Sequence, residues 1–393
     1  MIKTIKDFDI KDKKVLIRCD FNVPIKDGKI VDDNRIVSSL PTIEYALNEG
    51  AKVILFSHLG RVKEESDLEK NNLEIVSYRL SELLGKKVTF VNETRGQELE
   101  DKVNSMMSGD VILVQNTRYE DLDGKKESSN DTELGKYWAN LGDIFINDAF
   151  GTIHRAHASN VGIATYLPSG IGFLVEKELN ALKILDNPDR PYIVILGGAK
   201  VSDKIGVIDN LVTKADYILI GGGMAFTFLK AAGYNIGKSL LEEEKIDYCK
   251  DLLDKYKDKI ILPTSVVLSK EALKEVDVRE ATIKDIGEDE IGVDVGENTV
   301  YQFEKYLSDA KVVVWNGPLG VYEVDRFRKG TLDILKYLTD NNIKTIIGGG
   351  DTAAIVSSNE ELKSKLYHTS TGGGATLEYL EGKELPGIKA LDK

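Results

Sequence analysis

The chain has 393 residues, of which 42% are hydrophobic, 30% charged and 7% aromatic. At about 150 residues per domain that length gives two or three domains, and the composition excludes whole-chain disorder and collagen-like repetition. Lys plus Arg number 52 against 65 Asp plus Glu, a net charge of −13. Such a chain repels nucleic acid and anionic membrane, so any phosphate site must be local. The only cysteines, Cys19 and Cys249, exclude a disulfide scaffold and fit a reducing cytoplasm. The segment Met1 to Asp7 lacks the apolar region of a signal peptide, and no apolar run approaches the roughly 18 residues of a membrane span.

In chain order, short apolar runs alternate with helical patterns. The first half has Val15-Leu16-Ile17, Val53 to Phe56, Val111 to Val114 and Ile144-Phe145-Ile146. Within it, Leu73 to Leu84 carries apolar residues at helical spacing: Leu73, Val76, Leu80, Leu83 and Leu84. A helix over about Gly172 to Asp186, with a stripe of Val175, Leu179, Leu182 and Leu185, joins the halves and offers a hinge. Asn187-Pro188 and Arg190-Pro191 end it. The second half has Tyr192 to Leu196, Tyr217 to Ile220, Lys259 to Leu262, Val312 to Trp315 and Thr345-Ile346-Ile347. Runs apolar on both faces between amphipathic segments are buried parallel strands of βαβ units, so the fold class is α/β with helices on both faces of each sheet.

Ligands of open parallel sheets bind beyond the carboxyl ends of the strands. In the first half those ends carry Arg18 to Asn22, Ser57 to Arg61, Gln115 to Arg118 and Asn147-Asp148. Seven of the 11 arginines precede residue 156, and His154-Arg155-Ala156-His157 adds to the cationic set. Arginine suits bidentate capture of carboxylate and phosphate, so this half reads as a pocket for a small, highly anionic molecule. His154 and His157 lack metal-ligand partners at the right spacing, and no Gly-x-Ser-x-Gly elbow indicates a hydrolase.

In the second half the strand ends are glycines: Gly197-Gly198, Gly221 to Gly223 and Gly348 to Gly350, with Gly372 to Gly374 as a fourth cluster. Backbone amides and helix starts there fit phosphates, with tight turns and caps as the structural alternative, the one favoured for Gly221 to Gly223. Lys200 and Lys204 are expected on one helical face, where they oppose the helix dipole unless an anion is bound. Asp351 is either an N-cap or a Mg²⁺ ligand beside phosphates. Gly237-Lys238-Ser239 ends like a phosphate loop, but Ala232 stands where the first glycine is required.

Val15 to Pro24, Ser57 to Arg61, His154 to Ser159, Gly197 to Lys204, Trp315 to Glu323, Gly348 to Thr352, Gly372 to Thr376 and Leu385 to Ile388 together resemble the phosphoglycerate kinases, in the expected order from about residue 3 to residue 391. The resemblance implies two doubly wound, Rossmann-like parallel-sheet α/β domains facing each other across a cleft. It implies a phosphoglycerate domain over residues 1–171, a helical hinge over 172–188 and a nucleotide domain over 189–377, with 378–393 packing back on the first. The implied reaction is reversible phosphoryl transfer from 1,3-bisphosphoglycerate to ADP, giving 3-phosphoglycerate and ATP, with Mg²⁺, in a cytoplasmic monomer.

Carried over by motif, Asp20, Phe21, Asn22, Arg35, His58, Leu59, Gly60, Arg61, Arg118 and Arg155 resemble the phosphoglycerate site. Lys200, Lys204, Gly292, Glu323, Gly349, Gly350, Asp351 and Thr352 resemble the nucleotide site, with Asp351 as metal ligand. Arg35, Lys200 and Gly372, Gly373 and Gly374 are expected on the transferring group. The chain departs from the family pattern at Gln115-Asn116-Thr117, at Val62 and at Glu297. A non-catalytic binder of an anionic metabolite and a kinase for another acyl phosphate remain the alternatives.

Overall fold

The structure, a computed structural model, describes residues 2–392. It divides into two compact units, Met1–Asn180 with Glu384–Lys393, and Ala181–Lys383. Among the described residues no helix is long and apolar enough to cross a membrane.

The first unit is built on six parallel strands in the spatial order Thr89–Val91, Val111–Val114, Lys52–Phe56, Lys14–Arg18, Ile144–Asn147 and Ser169–Ile171. The central strands are buried along almost their whole length because helices cover both faces, which is why their sequences are apolar runs rather than alternating ones. One core packs Val15, Ile17, Val53 and Leu55 against Ile36 and Ile43 of the helix Asn34–Asn48 and Val76 and Leu80 of the helix Glu74–Leu84. The C-terminal segment returns to this unit, where the Gly387 N–H donates to the Ile153 carbonyl at 2.8 Å.

The second unit has a six-stranded parallel sheet ordered Ile260–Ile261, Tyr217–Ile220, Tyr192–Leu196, Val312–Asn316, Lys344–Gly348 and His368–Thr369. Numbered within the unit this is the doubly wound order 3-2-1-4-5-6. The chain reverses direction across the sheet between Tyr192–Leu196 and Val312–Asn316, so the crevice lies above that pair. A separate antiparallel sheet, Arg279–Thr282, Ser265–Ser269 and Ile291–Val295, closes over its own small core of Phe226, Leu229, Val266 and Leu268. The helix Gly374–Leu380 stays with this unit, Asn210 Nδ2 donating to the Leu380 carbonyl at 2.7 Å.

The expected joining helix is present as Phe173–Lys183, continued by a 3₁₀ turn Ile184–Asp186, and the two units divide inside it. Its start is held by Asp148, fully buried, whose Oδ1 accepts from the N–H groups of Leu174 at 2.9 Å and Val175 at 3.3 Å. Burial pushes the Asp148 carboxyl up to about 7, against the hydrogen bonds from Thr42, Val175 and Leu174. The folded chain therefore holds a proton that the unfolded chain releases at ordinary carboxylate pH. The stability this supplies is complete below about pH 4 and is lost as pH rises through 7. Between pH 5 and 8 wild type is expected to lose about 2–3 kcal/mol relative to Asp148→Asn, read as a fall of its urea midpoint relative to that of the variant. Curves that stay parallel would show that Asp148 does not titrate in this window.

Candidate active site

In the first unit the loops after four adjacent strands meet. Arg18, the last residue of its strand and 1% exposed, donates from Nε to Ser159 Oγ at 2.8 Å and from Nη2 to His58 Nδ1 at 3.3 Å. Guanidinium is a donor only, so Nδ1 of His58 accepts and the ring proton sits on Nε2. Glu127, fully buried, lies 3.9 Å from Arg18 and accepts from the Ser159 N–H at 2.9 Å. Asp20 receives both hydrogen bonds of Arg35 Nη1 at 3.0 Å. Asn22 closes the group, with its N–H on Asp20 Oδ1 at 3.2 Å and its Oδ1 accepting from the Gly60 N–H at 2.8 Å.

The electrostatics are those of an anion site. Burial holds His58 far below its usual range against the pull of Asp20, and Arg18, Arg118 and Arg35 push it the same way. His157 falls to about 3 through burial, reinforced by Arg18, Arg118 and Arg155. Burial opposes ionisation of Asp20, but Arg35, Arg18 and the Asn22 N–H favour the carboxylate and keep the carboxyl below its ordinary value. Both imidazoles are therefore neutral across physiological pH, and the positive field comes from guanidinium groups that pH does not switch. Among the described residues, Arg118 has a buried Nε without a hydrogen-bond partner, and Arg61 extends an exposed side chain with none. Phe21 and Leu59 turn their side chains into the core, so only their backbones belong to this surface. The Phe21 N–H donates to Ser57 Oγ at 2.8 Å, and both main-chain groups of Leu59 bind the Asn116 amide.

The second unit brings glycines to the crevice. Gly197 meets the loop that follows Val312–Asn316 so closely that a Cβ would lie 2.1 Å from the Pro318 carbonyl oxygen. Here glycine is a packing requirement. Beside this contact Lys204 Nζ donates to Asn316 Oδ1, and Asn316 also borders Gly349. The expectation of Lys200 and Lys204 on a helical face is corrected: residues 198–201 are irregular, 202–204 form a turn, and the helix starts at Ile205 with Lys204 at its N-cap. Two cations in a first helical turn oppose the dipole, and the helix starts beyond both. Lys200 stands exposed before the turn.

A cavity of about 310 Å³ opens next to these loops, lined by Gly292, Glu323 and Asp351 together with Gly198, Ala199, Gly223, Leu240, Pro318 and Tyr322. Gly292 sits in the strand Ile291–Val295, where a Cβ would come within 1.8 Å of the Phe226 ring. Only glycine lets the small core and the cavity share this wall. Lys200, Lys204, Gly349, Gly350, Thr352 and Gly372 to Gly374 do not line the cavity. Thr352 Oγ1 accepts from the Gly317 N–H at 3.0 Å, fixing one crevice loop to another. Gly373 takes φ +39° at the N-cap of Gly374–Leu380, and the Gly372 N–H donates to Ser370 Oγ at 3.1 Å.

Asp351 is not its helix's N-cap: that position is Gly349, at φ +93°, and Asp351 lies in the first turn of Gly350–Ser357. Its carboxylate binds the Tyr322 hydroxyl at 3.1 Å. Among the described residues no group of three or more His, Cys, Asp or Glu could hold a metal alone. One exposed carboxylate at a phosphate-sized crevice is the donor set Mg²⁺ uses when substrate oxygens complete its shell.

The first unit thus carries a guanidinium-rich strand-end site and the second a glycine-lined one. A profile for phosphoglycerate kinase matches residues 5–383. A phosphoglycerate kinase of Enterococcus faecalis is 58% identical over 99% of both chains. The chain belongs to the phosphoglycerate kinase family. A family member from Fusobacterium nucleatum is 57% identical over 100% of this chain and 99% of its own. Among solved structures, the phosphoglycerate kinase of Coxiella burnetii aligns at TM-score 0.89 with 39% identity, covering 100% of this chain and 99% of that one. That of Pyrococcus horikoshii aligns at 0.85 with 31% identity, covering 100% and 98%.

Two residues that build these sites were not marked by the sequence. Glu127 lies in a Lys- and Ser-rich loop outside every motif. Gly223 reads as part of a structural cluster, although it lines the cavity. The Gln115 departure lies beneath the site: its amide accepts from the Leu73 N–H at 3.1 Å and donates to Asn92 at 2.8 Å.

Proposed function

We propose that the chain transfers a phosphoryl group reversibly between 1,3-bisphosphoglycerate and ADP. The first unit takes the phosphoglycerate on Asp20, Asn22, Arg35, His58, Gly60, Arg61, Arg118 and Arg155, with the Phe21 and Leu59 backbones beside them. The second takes the nucleotide on Lys200, Lys204, Gly292, Glu323 and Gly349 to Thr352. Mg²⁺ held by Asp351 would neutralise phosphate charge. The observation that carries the reading is the coexistence in one chain of a guanidinium-rich anion site and a glycine-walled cavity with a lysine and a carboxylate at its edge. The reading includes a monomer in the cytoplasm.

In the ATP-forming direction a terminal phosphate oxygen of ADP forms the new P–O bond while the bond from phosphorus to the carboxyl oxygen breaks, releasing carboxylate. Both nucleophiles, phosphate and carboxylate, are already anionic at pH 7, so no general base is required. That agrees with imidazoles held neutral, the His58 ring hydrogen-bonded to Arg18 rather than poised for proton transfer. What the protein supplies is alignment and charge stabilisation of a loose, metaphosphate-like transition state, from Arg35, Lys200 and the amides of Gly372 to Gly374. The helix Phe173–Lys183 is the proposed hinge that lets the two ligands meet and excludes water.

A coupled assay tests this. Mg²⁺-dependent ATP formation from 1,3-bisphosphoglycerate and ADP is expected, with acetyl phosphate inert. Tight binding of the acid without turnover would favour a non-catalytic binder, and turnover of acetyl phosphate a different acyl-phosphate kinase.

A further inference from the structure

Tyr322 sits in the loop between the strand Val312–Asn316 and the helix Lys329–Asp340, one residue before Glu323. Several bonds hold this loop. The Leu319 N–H donates to Thr331 Oγ1 at 3.0 Å, the Val321 N–H to the Val293 carbonyl at 2.8 Å, and Arg328 Nε to the Tyr322 carbonyl. The Tyr322 ring packs against the apolar core of the second unit, while its hydroxyl reaches Asp351 Oδ1 at 3.1 Å. A rigid aromatic body thus carries a single O–H donor to the only carboxylate in the first turn of Gly350–Ser357. Asp351 makes no capping bond to its own helix, and its Oδ2 has no hydrogen-bond partner among the described residues. One oxygen is fixed and the other left available. A carboxylate on an exposed helix start otherwise rotates freely, and capturing it costs side-chain entropy.

We propose that Tyr322 is a positioning residue that orients the Asp351 carboxylate, through its hydroxyl, for a divalent cation carried by the nucleotide. The inference rests on Asp351 being the metal ligand, the reading given above. It assigns Tyr322 a role separate from its place in the cavity wall: the ring belongs to the core, the hydroxyl to the metal site. Hydrogen-bonded partners of ligating carboxylates typically contribute about 10–100-fold to metal affinity, and removal of a donor that is itself partly solvated belongs at the lower end.

The test is calorimetric titration of the full chain with ADP, in Mg²⁺ and in EDTA, for wild type, Tyr322→Phe and Asp351→Asn. The phenylalanine keeps the ring packing and deletes one oxygen. Tyr322→Phe is expected to weaken ADP binding about tenfold in Mg²⁺ and to leave it unchanged in EDTA. Asp351→Asn is expected to abolish the gain in affinity that Mg²⁺ gives. If Tyr322→Phe binds like wild type in both media while Asp351→Asn loses the gain, the positioning role is wrong and the metal reading stands. If Tyr322→Phe weakens ADP equally with and without metal, the hydroxyl serves the nucleotide pocket and the proposal also fails. If Asp351→Asn keeps the full gain, the ligand assignment itself falls and the inference with it.

Discussion

Arg35→Ala is expected to lower kcat by about 10³ or more while leaving the fold intact. In phosphoryl transfer an arginine placed on the migrating group contributes about 10³–10⁵ in rate, because its charge acts where negative charge spreads in the transition state. Arg35 is suited to that role. Among the described residues it uses only Nη1 toward the protein, on both oxygens of Asp20, which leaves the Nε and Nη2 edge of the fork for an incoming anion. The stability cost should be small. The Arg35 side chain is 41% exposed, and ion pairs of that exposure are worth about 0–1 kcal/mol. A cation in the first turn of Asn34–Asn48 also opposes the helix dipole, so its removal returns a few tenths of a kcal/mol. A large loss of turnover with an unmoved urea midpoint would therefore report catalysis. Arg35→Lys, which keeps charge and loses the fork, should fall between the two. Near-normal turnover of the alanine variant would remove Arg35 from the transferring group and leave it as the partner of Asp20.

The sheet architecture was legible because parallel strands covered on both faces are continuous apolar runs, and all nine runs read from the sequence coincide with strands, lie within them or contain them. The antiparallel add-on was not. Arg279–Thr282 is exposed at three of its four positions and carries no run at all, and Ile291–Val295 is interrupted by Gly292 and Asp294. The candidate sites were legible for the same reason as the sheets: strand ends are where backbone groups and loop side chains converge, so residue types following the runs carry the signal. What the local pattern could not show depends on tertiary burial. Glu127 sits among Lys125, Lys126, Ser128 and Ser129, yet it is fully buried against Arg18, and only the folded chain makes that pairing. Lys200 and Lys204 misled in the other direction. Their spacing fits a helical face, but the helix starts only at Ile205; Lys204 Nζ reaches Asn316 and Lys200 stands exposed before it.

Lys204→Ala is the second variant with a large expected effect, about 10²–10³ in kcat/KM for the nucleotide, the range seen when one preorganised donor to a developing anion is removed. The Lys204 ammonium is half-buried beside Gly198 and donates to the neutral Asn316 amide. No carboxylate lies within salt-bridge distance among the described residues. Burial accordingly pushes its pKa down, with Asp203, Asp351 and Glu381 pulling more weakly the other way. A partly desolvated cation without a counter-charge is unfavourable in the free protein, and an incoming phosphate relieves it. The same residue should thus work against stability and for function. The variant is expected to unfold at an equal or higher temperature than wild type, to bind nucleotide more weakly, and to retain affinity for 3-phosphoglycerate. Measuring all three separates the possibilities. Lower thermal stability with unchanged kinetics would make Lys204 a structural tether for Asn316, whereas greater stability with lost turnover would mark a charge kept in place for the phosphate it meets.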